Sequence, residues 1–265
     1  SLRRRAHEEI GILTAIGSHA PSEETFCVRL LNAFTHRRHP VLVFECLSCT
    51  LYQVLRKANI PLDTTKRIAQ QLLEALRFLK ERAGVIHCDI KPDNILMRDS
   101  DRADIKLADF GSSCFRSRVE QMYRLKYIQA RHFRAPEVIV RAPYGHAIDM
   151  WSVGCTLFQT HEGVLLFRGR TQAEMLALMT HKLGPLPAAL LDRGANTAGF
   201  YDKNALEEFV LNADMSVCQK ERPMLSMPRW TFAHAEFCSL LEGMLEHDPD
   251  RRLTPAQALA HSWFQ

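Results

Sequence analysis

Four polar residues in two short stretches of the sequence could carry out chemistry together. Asp89, Lys91 and Asn94 lie in VIHCDIKPDNILM, and Asp109 follows in LADFG. A carboxylate such as Asp89 could orient a hydroxyl group and accept its proton, and the Lys91 ammonium could stabilise charge on a phosphoryl group during transfer. The Asn94 amide and the Asp109 carboxylate supply the hard oxygen ligands that Mg²⁺ prefers. The set predicts phosphoryl transfer, which needs mainly positioning and charge neutralisation from a protein.

The elements that must position these groups follow from the spacing of apolar residues. Residues 3–16 and 64–82 have the periodicity of amphipathic helices, and residues 26–47 read as a β-hairpin around HRRHP. NILM and DIKLADFG predict two short strands on either side of a polar turn. Further helices are predicted in AIDMWSVGCTLFQTHEG, TQAEMLALMTHKLG, AEFCSLLEGMLEH and PAQALAHSWF.

These elements predict an α+β fold with two unequal parts. Residues 1–47 form a small β-containing part that ends in a connecting segment, and residues 48–265 form a mostly helical part. Residues 185–232, which are rich in Pro, Asn and Met, are expected to be an irregular insertion in the helical part.

Composition narrows the functional classes. The chain has 265 residues and a dispersed net charge of +4, which does not favour direct nucleic-acid binding. No apolar run reaches the roughly 18 residues of a membrane span, and the basic start SLRRRAHEEIGIL does not suit a secretory signal. The eight cysteines form no C-x-x-C pair and have no histidine partners at zinc spacing. They predict reduced thiols in an intracellular protein of the nucleus or cytoplasm.

The ordered motifs resemble those of protein kinases over nearly the whole chain. The kinase set H-x-D-x-K-x-x-N, D-F-G and A-P-E appears as HCDIKPDN, DFG and APE. The resemblance implies a bilobal kinase fold with a truncated β-containing N-lobe, ATP and Mg²⁺ as cofactors, and proteins as substrates. It assigns catalysis to Asp89, Lys91 and Asn94, and metal binding to Asn94 and Asp109.

The resemblance implies further roles in ATP binding and in the core. Glu9 matches the helix-C glutamate, Phe44 the gatekeeper, Leu96 the floor of the purine pocket, and the segment Glu45 to Leu47 the adenine-facing hinge. Asp149 is expected to brace the catalytic loop. The resemblance also implies an apolar spine of His87, Leu13 and Phe110. It further implies an ion pair between Glu137 and Arg252.

Several short motifs of this chain resemble those of two related kinase families. DFGSSC, YIQARHFRAPEV and LFRG resemble the dual-specificity tyrosine-regulated kinases, whereas HxDIKPDNIL, IDMWSVGCTL and QAEMLALM also fit the pre-mRNA-processing kinases. The motifs do not separate the two. Cys88 stands where kinases switched by phosphothreonine carry arginine, and a thiol cannot make that bidentate contact. A small buried filler is an equally compatible explanation of this cysteine.

The tyrosine-regulated resemblance implies phosphorylation of a loop tyrosine. Tyr127 is the matching residue, and Arg131 and Arg134 would hold its phosphate. Tyr123 is a competing candidate because the loop is longer than in typical relatives. The kinase group that this chain resembles often favours substrates with proline after the phosphorylated residue. The resemblance implies that Arg134 shapes the pocket for that proline.

A Gly-rich loop and a V-A-I-K lysine do not occur before Glu9. We expect them upstream in a longer protein, and the alternative is a genuinely shortened kinase-like domain. The leading functional hypothesis is a serine/threonine kinase that autophosphorylates on tyrosine. A pseudokinase or scaffold lobe is the rival, and a small-molecule kinase is less favoured because APE and the activation loop serve protein substrates. Oligomeric state cannot be inferred from the motifs.

Overall fold

The first helix, α1 (Leu2–His19), confirms the helix predicted from the sequence. Its buried face carries Ile12, Leu13 and Ile16. This computed structural model describes residues 2–19, 22–58, 60–99, 103–119, 128–204, 208–218 and 232–265. A single turn, α2 (Ser22–Thr25), follows α1.

The predicted hairpin is present as strands β1 (Leu30–His36) and β2 (His39–Phe44), which pair antiparallel. Arg37 and Arg38 form its two-residue turn, and both have positive φ angles of 46° and 68°. Two consecutive left-handed residues give the turn a twist that matches the twist of paired strands. The antiparallel register therefore confirms the hairpin that the HRRHP turn predicted.

Short strands frame the motif-rich region. Strands β3 (Cys49–Thr50), β5 (Ile95–Asp99) and β6 (Asp104–Leu107) form one antiparallel sheet in the order β3-β5-β6. Strand β4 (Val85–Ile86) pairs with β7 (Cys114–Phe115). Because β5 and β6 come directly after and before motif residues, their pairing brings HCDIKPDN and DFG to the same end of the sheet.

The long helix predicted over residues 64–82 is divided in the structure. The α-helix α4 (Leu62–Phe78) passes into a single π-helical turn over Leu79–Ala83, and Gly84 ends the helix with a left-handed φ of 62°. A π turn accommodates an extra residue without breaking the helix. Apolar periodicity alone does not reveal this change, since Leu79 still faces the core.

The central helix of the larger part is α6 (Ala147–Glu162), which confirms the helix predicted in AIDMWSVGC. Trp151 and most of its neighbours along this helix are buried, as expected for a helix that is apolar on nearly all sides. The other helices are α3 (Leu51–Leu55), α5 (Pro136–Ile139), α7 (Gln172–Leu183), α8 (Ala188–Arg193), α9 (Phe232–Met244) and α10 (Pro255–Leu259).

The expectation of an irregular insertion over residues 185–232 was wrong for the described part of that segment. It contains α8 and a hairpin of β8 (Tyr201–Lys203) and β9 (Phe209–Leu211). Leu190, Leu191 and Tyr201 are buried, so tertiary packing stabilises elements that are too short to show a sequence period. Within the described residues, no helix has both the length and the apolar content needed to cross a bilayer.

Candidate active site

The Asp89 carboxylate is held by three hydrogen bonds from three different residues. Its Oδ2 accepts from Lys91 Nζ at 2.7 Å and from Asn94 Nδ2 at 3.1 Å, and its Oδ1 accepts from the backbone N–H of Ala130 at 3.0 Å. Asn94 Nδ2 also donates to the Asp89 carbonyl at 2.8 Å. The structure thus brings together the three residues predicted to be catalytic, and protein groups alone orient the carboxylate.

Asp149 of α6 holds the loop that carries Asp89. Its Oδ2 accepts from the His87 N–H at 2.7 Å and its Oδ1 from the Cys88 N–H at 2.9 Å. Burial raises the pKa of Asp149 to about 7, although both N–H groups favour the carboxylate. Cys88 has a left-handed φ of 66°, which is unfavourable for a residue with a Cβ. The two bonds compensate for this backbone strain and confirm the predicted bracing role of Asp149.

His87 links the catalytic loop to the residues around Asp109. Its Nδ1 accepts the Asp89 N–H at 3.3 Å, so Nε2 carries the proton and donates to the Ala108 carbonyl at 3.0 Å. Complete burial lowers the pKa of His87 and keeps the imidazole neutral. Its ring contacts Phe110 edge to face at 4.9 Å between centroids. The contact is that expected between two members of the predicted apolar spine.

The two predicted metal ligands lie at adjoining strand ends. The Ala108 N–H donates to the Asn94 carbonyl at 2.9 Å, which places Asp109 next to the end of the catalytic loop. Asp109 is exposed and has a left-handed φ of 62°, and its Oδ1 accepts the Gly111 N–H at 3.3 Å. Asn94 uses its NH₂ group toward Asp89. Its amide oxygen and the Asp109 carboxylate are therefore the hard oxygens suited to a divalent cation.

Glu9 of α1 reaches the same region from the other side. A Cβ added to Gly111 would lie 3.2 Å from Asp109 Oδ1 and 3.5 Å from Glu9 Oε2, so both carboxylates lie close to one glycine. Burial, and secondarily the Asp109 charge, raise the pKa of Glu9. The predicted helix-C glutamate is thus turned toward the DFG segment, beside the predicted metal ligand.

The residues predicted to face adenine lie between the two parts of the fold. Glu45 follows β2, and its N–H and Oε1 both bond to the Arg29 backbone, at 3.1 and 2.7 Å. Leu47 and Leu96 are partly buried against the core. The Ser48 N–H donates to the Met97 carbonyl at 2.9 Å, so the segment that carries Leu47 is tied to β5, the strand that carries Leu96.

The activation-segment predictions lie partly inside the described structure. Tyr127 and its competitor Tyr123 fall outside the described residues. Arg131 is exposed, whereas Arg134 is only 1% exposed and donates from Nε to the Ile128 carbonyl and from NH2 to the Gln129 carbonyl, at 2.9 and 2.6 Å. The two arginines that were predicted to share a phosphate therefore occupy different environments.

Sequence reasoning missed two residues of this region. Ala130 touches the Asp89 carboxylate with a backbone N–H, which every residue except proline possesses, so no side-chain signal could have identified it. Gln129 is buried with a left-handed φ of 59°. A polar residue within YIQARHFR was the only available signal for it. Cys88 and Cys114 are both buried, with their sulfur atoms 3.9 Å apart; the thiol at position 88 thus fills a small interior space.

Comparisons with known proteins agree with this arrangement. The family model described as protein kinase domain matches residues 2–264. The chain is 34% identical over 98% of its length to the dual specificity tyrosine-phosphorylation-regulated kinase 3 of Rattus norvegicus, and likewise to that of Mus musculus. It is 36% identical over 97% of its length to the serine/threonine-protein kinase ppk5 of Schizosaccharomyces pombe. It spans 47% of each rodent protein and 30% of the yeast protein.

Proposed function

This chain belongs to the protein kinase family, and from that premise we propose that it is the catalytic part of an enzyme that transfers the γ-phosphate of ATP to protein hydroxyl groups. The observation that carries the proposal is the preorganised Asp89 carboxylate, which receives hydrogen bonds from Lys91, Asn94 and Ala130 at 2.7–3.1 Å. A pseudokinase has no need to keep all of these groups in register.

Asp89 orients the acceptor hydroxyl and takes its proton. Its Oδ2 accepts from Lys91 and Asn94, which restricts rotation of the carboxylate and leaves the second lone pair of Oδ1 for the incoming hydroxyl. Lys91 is partly exposed, so its ammonium can leave Asp89 and neutralise charge on the transferred group. Neutral His87 keeps the loop backbone rigid without adding a competing charge.

The same residues fit a nucleotide with a divalent cation. A bound cation would neutralise negative charge on the phosphate groups. Asn94 and Asp109 would hold it through their oxygens, and we propose Mg²⁺ because both ligands are hard. Glu45, Leu47 and Leu96 would line the base site, and Glu9, which lies beside Asp109, would belong to the same site.

We further propose serine/threonine specificity with autophosphorylation of Tyr127. The names of the relatives support this, since two are called dual specificity kinases and one a serine/threonine-protein kinase. The phosphate of Tyr127 would meet Arg131 first, because Arg131 is exposed whereas Arg134 is buried. A doubly charged phosphate beside a guanidinium group orders a loop by charge-assisted hydrogen bonds.

A preference for proline after the acceptor residue is supported by the Gln129 carbonyl. Arg134 NH2 already donates to that carbonyl at 2.6 Å. A substrate N–H running beside Gln129 would therefore have to share this carbonyl with a charged guanidinium group. Proline has no N–H to leave unpaired, so it avoids a desolvation cost that every other residue would bear.

The test uses the protein with its natural flanking sequence, ATP and Mg²⁺. Acceptors are serine, threonine and tyrosine peptides in matched versions with proline or alanine after the acceptor. We expect transfer to serine and threonine, faster with proline, and phosphate on Tyr127 by mass spectrometry. Asp89→Asn should reduce both to a residual rate that only single-turnover assays detect, while the protein stays folded by circular dichroism. A folded protein that binds no ATP and transfers no phosphate would instead favour a scaffold.

A further inference from the structure

Gln129 is a buried amide with an unusual backbone. Only 4% of the residue is exposed, and its φ is 59°. A left-handed conformation is unfavourable for a residue of this kind, unlike glycine or asparagine. The surrounding contacts must therefore hold it in place.

The side chain of Gln129 supplies those contacts with three hydrogen bonds. Its Nε2 donates to the Ile148 carbonyl at 2.9 Å and to Ser152 Oγ at 2.8 Å, both on α6. Its Oε1 accepts the Ala135 N–H at 3.1 Å, just before α5. One amide thus joins the activation segment to two helices of the larger part.

The backbone of Gln129 faces the catalytic loop. Its N–H donates to the Cys88 carbonyl at 2.9 Å. The next N–H in the chain, that of Ala130, donates to Asp89 Oδ1 at 3.0 Å. The hydrogen bond to the catalytic carboxylate therefore depends on the backbone conformation one residue earlier, which the Gln129 amide holds together with the Arg134 bond to the Gln129 carbonyl at 2.6 Å.

We propose that Gln129 is a positioning residue for Asp89: its side-chain amide fixes a left-handed backbone so that the Ala130 N–H orients the carboxylate. The inference rests on the proposed kinase function and deepens it. Lys91 and Asn94 both bind Oδ2, so Ala130 is the donor that positions Oδ1. Loss of this donor lets the carboxylate rotate and misaligns the acceptor hydroxyl, whereas the nucleotide site keeps its own residues.

The first experiment compares Gln129→Leu with the control Gln71→Leu in the protein at its natural length. Gln71 makes a matched set of bonds, donating to Arg67 and Ala103 carbonyls and accepting the Ile105 N–H, but away from Asp89. We expect Gln129→Leu to lower kcat about 10- to 100-fold, with KM for ATP changed by less than about twofold. Gln71→Leu should lower Tm without an equivalent loss of kcat.

The second experiment repeats Gln129→Leu in the Asp89→Asn background, with single-turnover transfer read by mass spectrometry. If Gln129 acts through the Asp89 carboxylate, Gln129→Leu should lower the transfer rate much less once that carboxylate has been removed. An undiminished effect in this background overturns the proposal, as does a Gln129→Leu protein that loses only Tm.

Gln129→Met covers the case in which the leucine variant fails to fold. Methionine matches glutamine in length but has no amide, and like leucine it does not favour a left-handed backbone. It should reproduce the loss of kcat, and a normal kcat in folded Gln129→Met overturns the proposal. Activity of the unsubstituted protein separates the proposed function from this inference. If the unsubstituted protein transfers no phosphate, both are refuted. If it is active and the Gln129 variants are equally active, this inference alone is refuted.

Discussion

Two ion pairs of nearly equal length have opposite surroundings in this molecule. Lys91 Nζ lies 2.7 Å from Asp89 Oδ2, and the two side chains retain 23% and 14% of their exposure. Arg252 NH1 lies 2.6 Å from Glu137 Oε1, and both of those side chains are fully buried. The first pair belongs to the candidate site, and the second joins the APE segment to the end of the chain.

The two pairs differ in whether the cation is free to change its partner. The Arg252 guanidinium donates to both Glu137 oxygens and to the carbonyls of Ala147, Glu246 and His247, at 2.6–3.3 Å. Its five N–H groups are thus all used, and it also lies over the Trp151 ring at 5.1 Å. Lys91 has an ammonium that water can reach. A satisfied buried pair supports architecture, whereas a partly exposed pair can open during a reaction.

Arg252→Met should produce the largest effect. Glu137 would be left as a buried carboxylate without its cation, which costs about 3–5 kcal/mol of unfolding free energy. Urea titration followed by tryptophan fluorescence measures the loss. An unchanged unfolding midpoint would refute the contrast between the two pairs.

Lys91→Met makes the same kind of change at the exposed pair. We expect unfolding free energy to fall by less than about 1 kcal/mol, because exposed pairs contribute little to stability. The rate of phosphate transfer should fall at least about tenfold through lost charge neutralisation. The two assays run side by side on both variants, so each variant serves as the other's control.

Asp149→Asn tests whether the contacts that brace the catalytic loop support stability, as the buried pair does, or activity, as the partly exposed pair does. The amide presents one oxygen to the two N–H groups of His87 and Cys88, so one donor loses its acceptor at a cost of about 1–3 kcal/mol. Both unfolding free energy and kcat should fall, since the loop carries Asp89. Asp192→Asn on the exposed face of α8 is the control and should change neither.

His247→Phe should give the smallest effect, and only in acid. The His247 ring stacks on Trp151 and donates to the Gly184 carbonyl, and burial lowers its pKa to about 4. The unfolded chain protonates this histidine near pH 6.5, so the folded protein loses stability as pH falls from 6.5 toward 4. The phenylalanine variant should lose about 1–2 kcal/mol less than the parent between pH 6.5 and 4.5.

Asp149 acts with the opposite sign in the same pH range, because its pKa is raised to about 7. The folded protein keeps that proton where the unfolded chain has released it, so this group lowers stability as pH rises toward 7. It is present in both proteins of the comparison. The difference between parent and His247→Phe therefore isolates the histidine, and parallel pH curves would contradict its buried neutral state.

Much of the arrangement could be predicted because the signals were local or strongly ordered. The spacing of Asp89, Lys91 and Asn94 predicted a shared site, and the structure joins them by direct hydrogen bonds. The resemblance predicted the Glu137–Arg252 pair across 115 positions. The hairpin over residues 26–47 followed from one turn and the alternation of its flanks.

The remaining features depend on contacts that have no local signature. The π turn at Leu79–Ala83 preserves the apolar spacing of an ordinary helix. The hairpin of β8 and β9 has strands of only three residues, too short for a periodic signal. The Arg131 and Arg134 side chains lie three residues apart, yet one is exposed and the other is buried against backbone carbonyls.

The amino-acid sequence specifies which chemical groups this protein has and in what order: the Asp89 and Asp109 carboxylates, the Lys91 ammonium, the Asn94 amide and the helices and strands that carry them. Their types and spacings are properties of the chain and need no partner to be recognised. The orientation of the Asp89 carboxylate depends on tertiary contacts, because a backbone N–H from Ala130 reaches it across 41 positions. That bond depends on the left-handed turn at Gln129, which is held by its amide bonds to α6 and by the Arg134 bond to its carbonyl.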